Sequence, residues 1–533
     1  MSTDCISYQN SGYFSPLIND YLDKNSTIQS LYNRFPNIEN FEAQIQEKRE
    51  NLNGNINENR KTLVSVLEKQ YAKINTSERT LNNIQLLNNS NTFTITTGHQ
   101  LNLFSGPLYF LYKIISTINL TKQLKANYPS YDFVPVYWMA TEDHDFDEIN
   151  YFNFNDKKFR WNKEHSGAVG RLSTEGLAAF FEMFAQELGS SQSAEDVKTL
   201  FQESYLQHSN LADATRFLAN TLFGEYGLVI LDADNPTLKR AFAPYIKEEL
   251  TQQTAHKKVI ETIENLKEYD IQVNPREINL FYLEHNLRER IVFENGIYKI
   301  NNTKIEFSES EILTLVDTNP EKFSPNVIIR PLYQEVILPN LCYIGGGGEI
   351  AYWLELKSFF EAMNVTFPIL LVRNSAVLVS EKQLKKIYKL GLSWSDFFLK
   401  QSDLITKKVN KLSEFPIDLT SQKEQLRKQF DALYEIANKT DKSFIGAVKA
   451  QESKQIKGLE NLEKRLLKAQ KRKHSEELER IIHLQNELFP NQSLQERLAN
   501  FSEFYVDNRT DLIPKLMEQL QPLKNDFKII TVQ

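Results

Sequence analysis

Apolar and polar residues follow a strand–helix–strand pattern over much of the chain. Short apolar runs at 92–96 and 133–141 flank residues 107–124, where apolar positions recur at helical spacing. A further apolar run within 226–236 leads into acidic residues. Helices that alternate with buried strands are typical of α/β proteins, so we predict a parallel, doubly wound sheet.

The segments around this pattern differ from it. Residues 20–90 are polar, with apolar positions that predict amphipathic helices. Residues 151–161 alternate like an antiparallel strand, and 279–307 predict hairpins with a Glu-Asn-Gly turn. We interpret the stretch from about 151 to 310 as an insertion in the α/β core. After residue 327 the chain returns to strand, loop and helix.

The chain changes character again after Ser380. Residues 420–490 are charged and nearly free of Gly and Pro. Apolar residues there follow one another at steps of three and four, at Leu459, Leu462, Leu466 and Ala469. This spacing predicts a long helix over 459–489 with coiled-coil character, and an earlier helix near 421–438 is expected to pair with it antiparallel. Two interpretations stay open: a hairpin packed on its own domain, or a coiled coil that forms a homodimer.

The composition limits the classes of protein that fit. We divide the 533 residues into an α/β core with its helical N-terminal segment, 1–378, and a helical coiled-coil domain, 379–533. A net charge of −7 argues against nucleic-acid binding. The two distant cysteines give neither a disulfide framework nor a CxxC zinc site. With no recognisable signal peptide and no apolar run of roughly 18 residues, we expect a soluble, cytoplasmic protein that does not contact membranes.

The first candidate site is the Thr-Gly-His-Gln sequence after the first strand. Polar groups at the carboxyl end of a parallel strand face the crevice where open α/β sheets bind ligands. Gly98 allows close approach of the backbone, His99 and Gln100 offer hydrogen bonds to phosphate oxygens, and Gly106 marks the start of the next helix. We predict a ligand-binding loop; the alternative is that His99 only caps the helix.

The second candidate site is the acidic cluster after the second strand. Six titratable side chains crowd together there: Glu142, Asp143, His144, Asp145, Asp147 and Glu148. Such carboxylates repel one another unless Mg²⁺, a substrate amine or a nearby Lys or Arg joins them. We interpret Asp143, His144 and Asp145 as the catalytic group, with Glu142 as a binding residue. The alternative is a solvated acidic loop.

The third candidate site is a run of four glycines between an apolar strand and a helix, Gly345, Gly346, Gly347 and Gly348. Bare backbone of this kind can wrap a phosphate, a sugar or an adenine ring. The spacing matches neither a Walker loop nor a GxGxxG fingerprint. We predict a ligand loop, to which Arg330, Glu349, Tyr352 and Trp353 contribute; the alternative is a flexible tight turn.

Three long blocks carrying these sites resemble one family. "TGHQLNLFSGPLYFLYKI", "VPVYWMATEDHDFDEIN" and "RPLYQEVILPNLCYIGGGGEIAYWLELK" are similar to the bacillithiol biosynthesis cysteine-adding enzymes, and the resemblance covers essentially the whole chain. It implies a Rossmann-type core related to nucleotidylyl transferases, inserted segments and a C-terminal coiled coil that supports a homodimer. Many members have Gln in place of His99, which indicates a binding role for His99 rather than proton transfer.

The resemblance also implies a reaction, the joining of cysteine to glucosaminyl-malate in the last step of bacillithiol synthesis. Because amide formation in water requires an activated carboxyl group, we expect ATP, with Mg²⁺ on its phosphates, to activate cysteine by adenylation or phosphorylation. Candidate cations for the malate carboxylates are Arg330, Arg373 and Lys113. Two alternatives stay open: another nucleotide-using transferase, and a non-catalytic coiled-coil protein that binds a nucleotide.

Overall fold

The computed structural model of the protein describes residues 5–51, 56–508 and 511–532, which divide into two units. The first unit extends to Leu378 and takes up the chain again from Gln495, while the second is Val379–Leu494. Sequence analysis assigned residues 495–533 to the C-terminal domain, and the structure differs there. Residues after Gln495 belong to the first unit because the strand at Asp526–Val532 pairs with the strand at Cys5–Ser7, and because the buried carboxylate of Glu496 accepts a hydrogen bond from Arg373.

The β-strands of the described residues form four sheets. In chain order the strands are β1 (Cys5–Ser7), β2 (Thr92–His99), β3 (Asp132–Met139), β4 (Tyr151–Phe154), β5 (Lys157–Arg160), β6 (Val229–Asp232), β7 (Leu280–Glu284), β8 (Leu287–Glu294), β9 (Ile297–Ile300), β10 (Glu306–Phe307), β11 (Phe323–Pro325), β12 (Asn340–Gly345), β13 (Ile369–Val372), β14 (Ser375–Ser380) and β15 (Asp526–Val532).

Helices connect and cover these strands. In chain order the α-helices are α1 (Tyr8–Ser11), α2 (Pro16–Leu22), α3 (Asn40–Asn51), α4 (Ile56–Tyr71), α5 (Glu78–Leu86), α6 (Tyr109–Asn127), α7 (Phe146–Ile149), α8 (Leu177–Leu188), α9 (Gln192–Phe201), α10 (Leu211–Phe223), α11 (Pro236–Gln252), α12 (Thr254–Glu264), α13 (Glu309–Thr318), α14 (Ile329–Ile337), α15 (Gly347–Leu354), α16 (Lys357–Ala362), α17 (Glu381–Lys389), α18 (Trp394–Phe397), α19 (Gln401–Leu412), α20 (Thr420–Ala437), α21 (Lys442–Lys473), α22 (Ser475–Leu488), α23 (Gln495–Leu498), α24 (Phe501–Asn508) and α25 (Leu512–Gln519). Within the described ranges, none is both long and apolar enough to cross a bilayer.

The central sheet is parallel, in the order β13-β12-β2-β3-β6. The chain therefore winds outward from β2 to β6 and then returns to the other side of β2 with β12 and β13. This confirms the predicted doubly wound sheet and places its topological switch point between β2 and β12. Strand β6 belongs to this sheet although it lies inside the stretch interpreted as an insertion.

The sheet is buried on both faces, which explains why its strands are nearly continuous apolar runs. One face packs against α3 and α6 in a cluster of fully or nearly fully buried residues that includes Phe41, Ile45, Phe93, Ile95, Leu120, Leu124, Ile344 and Ile369. Helix α6, predicted from its periodicity, lies directly after the turn that follows β2. The core thus fixes the carboxyl ends of the strands at one edge.

A second sheet is formed by the hairpins predicted at 279–307. Its order is β10-β9-β8-β7-β11, with antiparallel pairing throughout. Asn295 and Gly296 join β8 to β9 with φ of 54° and 83°, as a two-residue hairpin turn requires. This sheet supplies one wall of the site described below.

The chain after residue 327 begins with a helix, α14, where sequence analysis expected a strand first. Oδ1 of Asn326 accepts from the backbone N–H groups of Ile328 and Ile329, at 2.9 and 3.2 Å, and so satisfies donors at the helix start. As a result Arg330 and Gln334 lie one turn apart on one helix.

The second unit contains the predicted antiparallel pair, α20 and α21. Phe430 and Ala437 of α20 pack with Val448 of α21, and Lys423 bonds to Glu463. The predicted continuous helix over 459–489 is instead broken at His474, whose φ and ψ are −109° and 21°. The break allows the following helix, α22, to pack Leu478 in a separate apolar cluster with helix α19.

Candidate active site

A cavity of about 760 Å³ opens at the carboxyl ends of β2, β3 and β12. It lies at the switch point of the sheet, where open α/β sheets bind their ligands. All three predicted sites contribute to its wall: Gly98, His99 and Gln100; Glu142, Asp143 and His144; and Glu349 with Tyr352. The structure therefore brings together segments that are up to about 250 residues apart in the sequence.

His99 is buried and uncharged. Its ring lies 5.4 Å from that of Tyr109 and 5.0 Å from that of Phe110. Burial, together with the nearby ammonium of Lys113, holds the pKa of His99 well below its usual value. Nε2 has no hydrogen-bond partner among the described residues. His99 thus presents a neutral imidazole at the cavity rather than a cation for phosphate.

Gln100 joins the first loop to the acidic loop. Its Nε2 donates to Oδ2 of Asp143 at 2.9 Å and to Oε2 of Glu148 at 2.8 Å. An amide nitrogen has two protons to donate, so both are engaged. Contact between Gln100 and a phosphate would require the amide to leave these carboxylates.

Lys113 and Glu349 form an ion pair at the cavity wall. Nζ of Lys113 donates to the two carboxylate oxygens of Glu349 at 2.7 and 2.8 Å and to the carbonyl of Gly98. Tyr343 and the N–H of Gly346 also donate to Glu349, at 2.7 and 3.0 Å. Burial acts to raise the pKa of Glu349, but Lys113 and these hydrogen bonds outweigh it and hold that pKa below its usual value. Lys113 is therefore engaged by the protein's own carboxylate.

Glu142 in the acidic loop has a protein cation as its partner. It bonds to the buried ammonium of Lys239, which lies 3.3 Å from Oδ1 of Asp234. Asp234 in turn accepts two hydrogen bonds from Arg171, at 2.8 and 2.9 Å. The cation that sequence analysis required for this cluster is thus supplied, for Glu142, by Lys239.

His144 is held by an arginine. Nη1 of Arg288 lies 2.6 Å from Nδ1 of His144, and the guanidinium lies 3.9 Å above the ring of Phe281. Partial burial, and then the charge of Arg288, lower the pKa of His144. Because Nδ1 accepts from Arg288, the proton of the neutral ring is on Nε2, and no lone pair is left for a general base.

Asp143 retains free acceptor capacity at the cavity. Its carboxylate accepts from Gln100 and from the backbone N–H of His144 at 2.8 Å, and its side chain is 29% exposed. Asp145 is exposed and does not line the cavity. Of the three residues predicted as catalytic, Asp143 is therefore the one placed to accept a proton from a ligand.

The four glycines are not among the residues that line the cavity. Gly345 ends β12, Gly346 precedes α15, and Gly347 and Gly348 form the first turn of that helix, all with negative φ and away from the cavity lining. A Cβ on Gly345 would lie 2.9 Å from Cβ of Glu349. The missing side chain at Gly345 therefore allows close packing beside Glu349, while ligand contact by the run stays a prediction.

Three further predicted residues lie outside the cavity. Gly106 has φ of 62°, and its carbonyl accepts from Asn500 at 2.6 Å. Trp353 is fully buried, with its ring 4.5 Å from that of Tyr343, because it lies on the inward face of α15. Arg373 is buried and bonds to Glu496 at 2.7 Å. These residues contact other parts of the protein and are not among the residues that line the cavity.

Sequence analysis missed an arginine wall, which we define as Arg276, Arg288, Arg290 and the predicted Arg330. All four line the cavity, and within the described part of the chain none has a carboxylate oxygen within 4.0 Å. The guanidinium of Arg330 donates to Gln334 at 3.1 Å and to Tyr352 at 3.2 Å. The one sequence signal was the i, i+2 spacing in β8, which puts Arg288 and Arg290 on one face of the strand.

The carboxylates of the site are not arranged as a metal centre. Over the residues that the structure describes, no group of three or more His, Cys, Asp or Glu side chains is placed to hold a metal ion. Glu142 and Glu349 are each bonded to a lysine. The arrangement instead offers guanidinium groups for an anion and one carboxylate for a proton.

Comparison with known proteins agrees with this architecture. The model of the bacillithiol biosynthesis BshC N-terminal Rossmann-like domain matches residues 1–374, and that of the BshC C-terminal coiled-coil domain matches residues 376–532. Proteins named "Putative cysteine ligase BshC" are similar over nearly their whole length. The one from Flavobacterium johnsoniae is 68% identical over 100% of both chains, and the one from Christiangramia forsetii is 58% identical over 100% of this chain and 99% of its own.

A more distant relative of the same name, from Bacillus cytotoxicus, is 28% identical over 94% of this chain and 95% of its own length. Both family models and the full-length similarity cover the Rossmann-like core and the helical unit alike. The chain therefore belongs to the bacillithiol biosynthesis BshC family, a family of ligases.

Proposed function

We propose that the chain joins cysteine to the amine of glucosaminyl-malate, with ATP as the source of activation. The amide bond forms between the carboxyl carbon of cysteine and the glucosamine nitrogen. The observation that carries this proposal is the arginine wall, because guanidinium groups without a carboxylate partner suit a ligand with two carboxylates. The names of the relatives support cysteine as the acid that is joined.

The malate group is assigned to the arginine wall. Arg330 presents a planar fork of N–H donors, which matches the geometry of a carboxylate. Arg288 already donates to Ser324, His144 and Pro325, and it keeps one N–H on each of Nη1 and Nη2 for a ligand. Arg330 is held on α14 by Gln334 and Tyr352, and Arg288 is held over Phe281. Fixed in this way, the two guanidinium groups bind an anion at little further cost in side-chain entropy.

Asp143 is assigned the proton transfer. The glucosamine nitrogen attacks only as a free amine, so a proton must leave it before or during attack on the activated carboxyl carbon. Asp143 lines the cavity with a part-exposed carboxylate, whereas His144 has its Nδ1 lone pair occupied by Arg288. Attack on the activated cysteine expels AMP or phosphate, and the nitrogen's proton passes to Asp143.

ATP is assigned the activation because a free carboxylate does not react with an amine in water. Acyl-adenylate and acyl-phosphate remain two routes, which release AMP with diphosphate and ADP with phosphate respectively. Mg²⁺, when it takes part, is carried by the nucleotide phosphates and neutralises their charge. At the cavity, the protein orients the amine of glucosaminyl-malate and binds the carboxylates of its malate group.

The test is product analysis by mass spectrometry with ATP, cysteine and glucosaminyl-malate. The expected product has the combined mass of cysteine and glucosaminyl-malate less one water, and it resists neutral hydroxylamine, as an amide does. An ester product cleaved by hydroxylamine would favour the alternative of a different transferase. No cysteine-dependent product and no nucleotide consumption would contradict the proposal.

A matched pair of variants locates the proton transfer. Asp143→Asn is expected to lower kcat by about 100-fold or more, the usual contribution of a general base. Asp147→Asn, in the same loop but on an exposed carboxylate paired with Arg160, is expected to change kcat by no more than about twofold. Equal activity of the two variants would remove Asp143 from the mechanism.

A further inference from the structure

A series of buried polar side chains leads away from the cavity behind Arg330. Nη1 of Arg330 donates to Oε1 of Gln334 at 3.1 Å, and Nε2 of Gln334 donates to Oε1 of Glu335 at 2.9 Å. Oε2 of Glu335 lies 3.3 Å from Nζ of Lys48 in α3. Gln334 and Glu335 are fully buried, and Lys48 is 2% exposed. A buried ion pair is thus connected to a cavity guanidinium through one amide.

The ion pair determines which end of the amide faces Arg330. The carboxylate of Glu335 also accepts from Asn340 at 2.7 Å and is bonded to Lys48, so it takes only a donor from Gln334. Nε2 of Gln334 must therefore face Glu335, which leaves Oε1 for the guanidinium. A reversed amide would set oxygen against carboxylate and N–H against N–H.

Stability alone does not explain the burial of this pair. Replacing a buried ion pair by apolar residues of similar volume is often neutral or stabilising, because removing two charges from water is costly. What the ion pair of Lys48 and Glu335 does provide is a single orientation of the side-chain amide of Gln334. That amide accepts from Arg330 without carrying a charge, so the guanidinium is held in place and still lacks an anionic partner.

We infer that Gln334 is a positioning residue, which aims the charged guanidinium of Arg330 at a carboxylate of the ligand without neutralising it. The inference rests on the proposed function for the identity of the ligand, glucosaminyl-malate. A Glu at the same position would supply the counter-ion to Arg330 itself and would also set a second carboxylate against that of Glu335. The choice of an amide therefore reserves the positive charge for the ligand.

The test compares Gln334→Met with Gln44→Met by isothermal titration with glucosaminyl-malate and with L-malate. Gln44 is also fully buried and donates to the carbonyl of Phe367 at 3.0 Å, but it has no contact with Arg330. Gln334→Met is expected to weaken binding of both ligands about tenfold, the effect of one charge-assisted hydrogen bond. Gln44→Met is expected to bind both as the wild type does.

Steady-state kinetics separate positioning from a general structural effect. Gln334→Met is expected to raise KM for glucosaminyl-malate about tenfold, with KM for cysteine and kcat within about twofold, because the contact with the malate carboxylate is lost equally in the ground state and the transition state. Gln334→Glu is expected to abolish malate binding while retaining a cooperative unfolding transition. Wild-type binding by either Gln334 variant would overturn the inference.

The inference and the proposed function fail separately. If the wild-type chain binds L-malate and Gln334→Met weakens that binding, the positioning role is supported even when no cysteine-containing product forms. If the product forms but Gln334→Met binds L-malate as tightly as the wild type, the positioning role is overturned and the ligase activity is not. A wild-type chain that binds neither ligand overturns the positioning role.

Discussion

The cations around the cavity fall into two groups with opposite environments. Lys113 and Lys239 are each 2% exposed or less and bonded to carboxylates of the protein, whereas Arg330 and the rest of the arginine wall have none within 4.0 Å in the described part of the chain. A buried charge is costly unless it is paired. The paired lysines are therefore complete without a ligand and stabilise the fold. Arg288 and Arg330 are part-buried and lack the counter-ion that an anionic ligand brings, which marks their side of the wall as the binding surface; Arg276 and Arg290 are exposed beside them.

The largest effect is expected from breaking a paired cation. Lys113→Met leaves the part-buried carboxylate of Glu349, 28% exposed, without its ammonium, so the free energy of unfolding should fall by about 2–3 kcal/mol, less than for a fully buried pair. Lys125→Met, on the same helix but half exposed in its pair with Asp132, should cost less than about 1 kcal/mol. Denaturant unfolding measures both. Equal losses would mean that the pairing at the cavity is not a structural element.

Removing a cation without a carboxylate partner should affect ligand binding more than the stability of the fold. Arg330→Met is expected to weaken glucosaminyl-malate binding about 100-fold, since it removes one partner of a charged pair with the ligand. The free energy of unfolding should fall by only about 1–2 kcal/mol, because the buried Oε1 of Gln334 loses its donor but no protein carboxylate loses a partner. Arg49→Met, on the exposed face of α3, serves as the control. A large stability loss in Arg330→Met would erase the distinction between the two groups.

The same comparison applies to two carboxylates near α15. Glu349 is paired with Lys113, whereas the fully buried Glu355 has no cation and accepts from the N–H of Gln272 at 2.8 Å. Burial raises the pKa of Glu355 to about 7. The protonated form therefore stabilises the fold fully below pH of about 4.5, and this contribution is lost as the pH rises through about 7.

Glu355→Gln should remove that loss. The free energy of unfolding of the variant minus that of the wild type should be about 2–3 kcal/mol larger at pH 8 than at pH 5. Glu264→Gln, on the exposed face of α12, should show no such trend. Urea unfolding at the two pH values measures the difference. Parallel pH profiles for Glu355→Gln and the wild type would contradict the raised pKa.

The smallest effect is expected at His99, which is neutral and has no pair to lose. His99→Gln keeps a hydrogen-bond acceptor near Nε2, so kcat/KM should stay within about threefold of the wild type. His99→Leu removes the acceptor and should cost about tenfold. Because the pKa of His99 lies well below its usual value, its titration should not contribute to the rate profile between pH 6 and 8. A tenfold loss in His99→Gln would indicate that imidazole chemistry is required.

Much of the core could be predicted because its information is local. The apolar runs at β2, β3 and β6 and the periodicity of α6 are properties of short segments, and parallel strands bring their carboxyl ends to one edge. This is why Gly98, His99, Glu142 and Asp143 were correctly expected to lie together.

The rest of the site depends on contacts between distant segments. Nothing in the hairpin 279–307 says that Arg288 will lie against His144, 144 residues away. The glycine run was predicted to be a ligand loop, and its sequence does not show that Cβ of Glu349 occupies the space beside Gly345. Nor does it show that Lys113 will be engaged by Glu349 and Arg330 left unpaired.

The most direct test of the account is a titration with glucosaminyl-malate and with its malate dimethyl ester, which keeps the sugar and amine but carries no carboxylates. If the arginine wall binds those carboxylates, the acid should bind the wild-type chain at least about 100-fold more tightly than the ester, and Arg330→Met should lose most of that difference. Equal affinity of the wild-type chain for acid and ester would contradict the account.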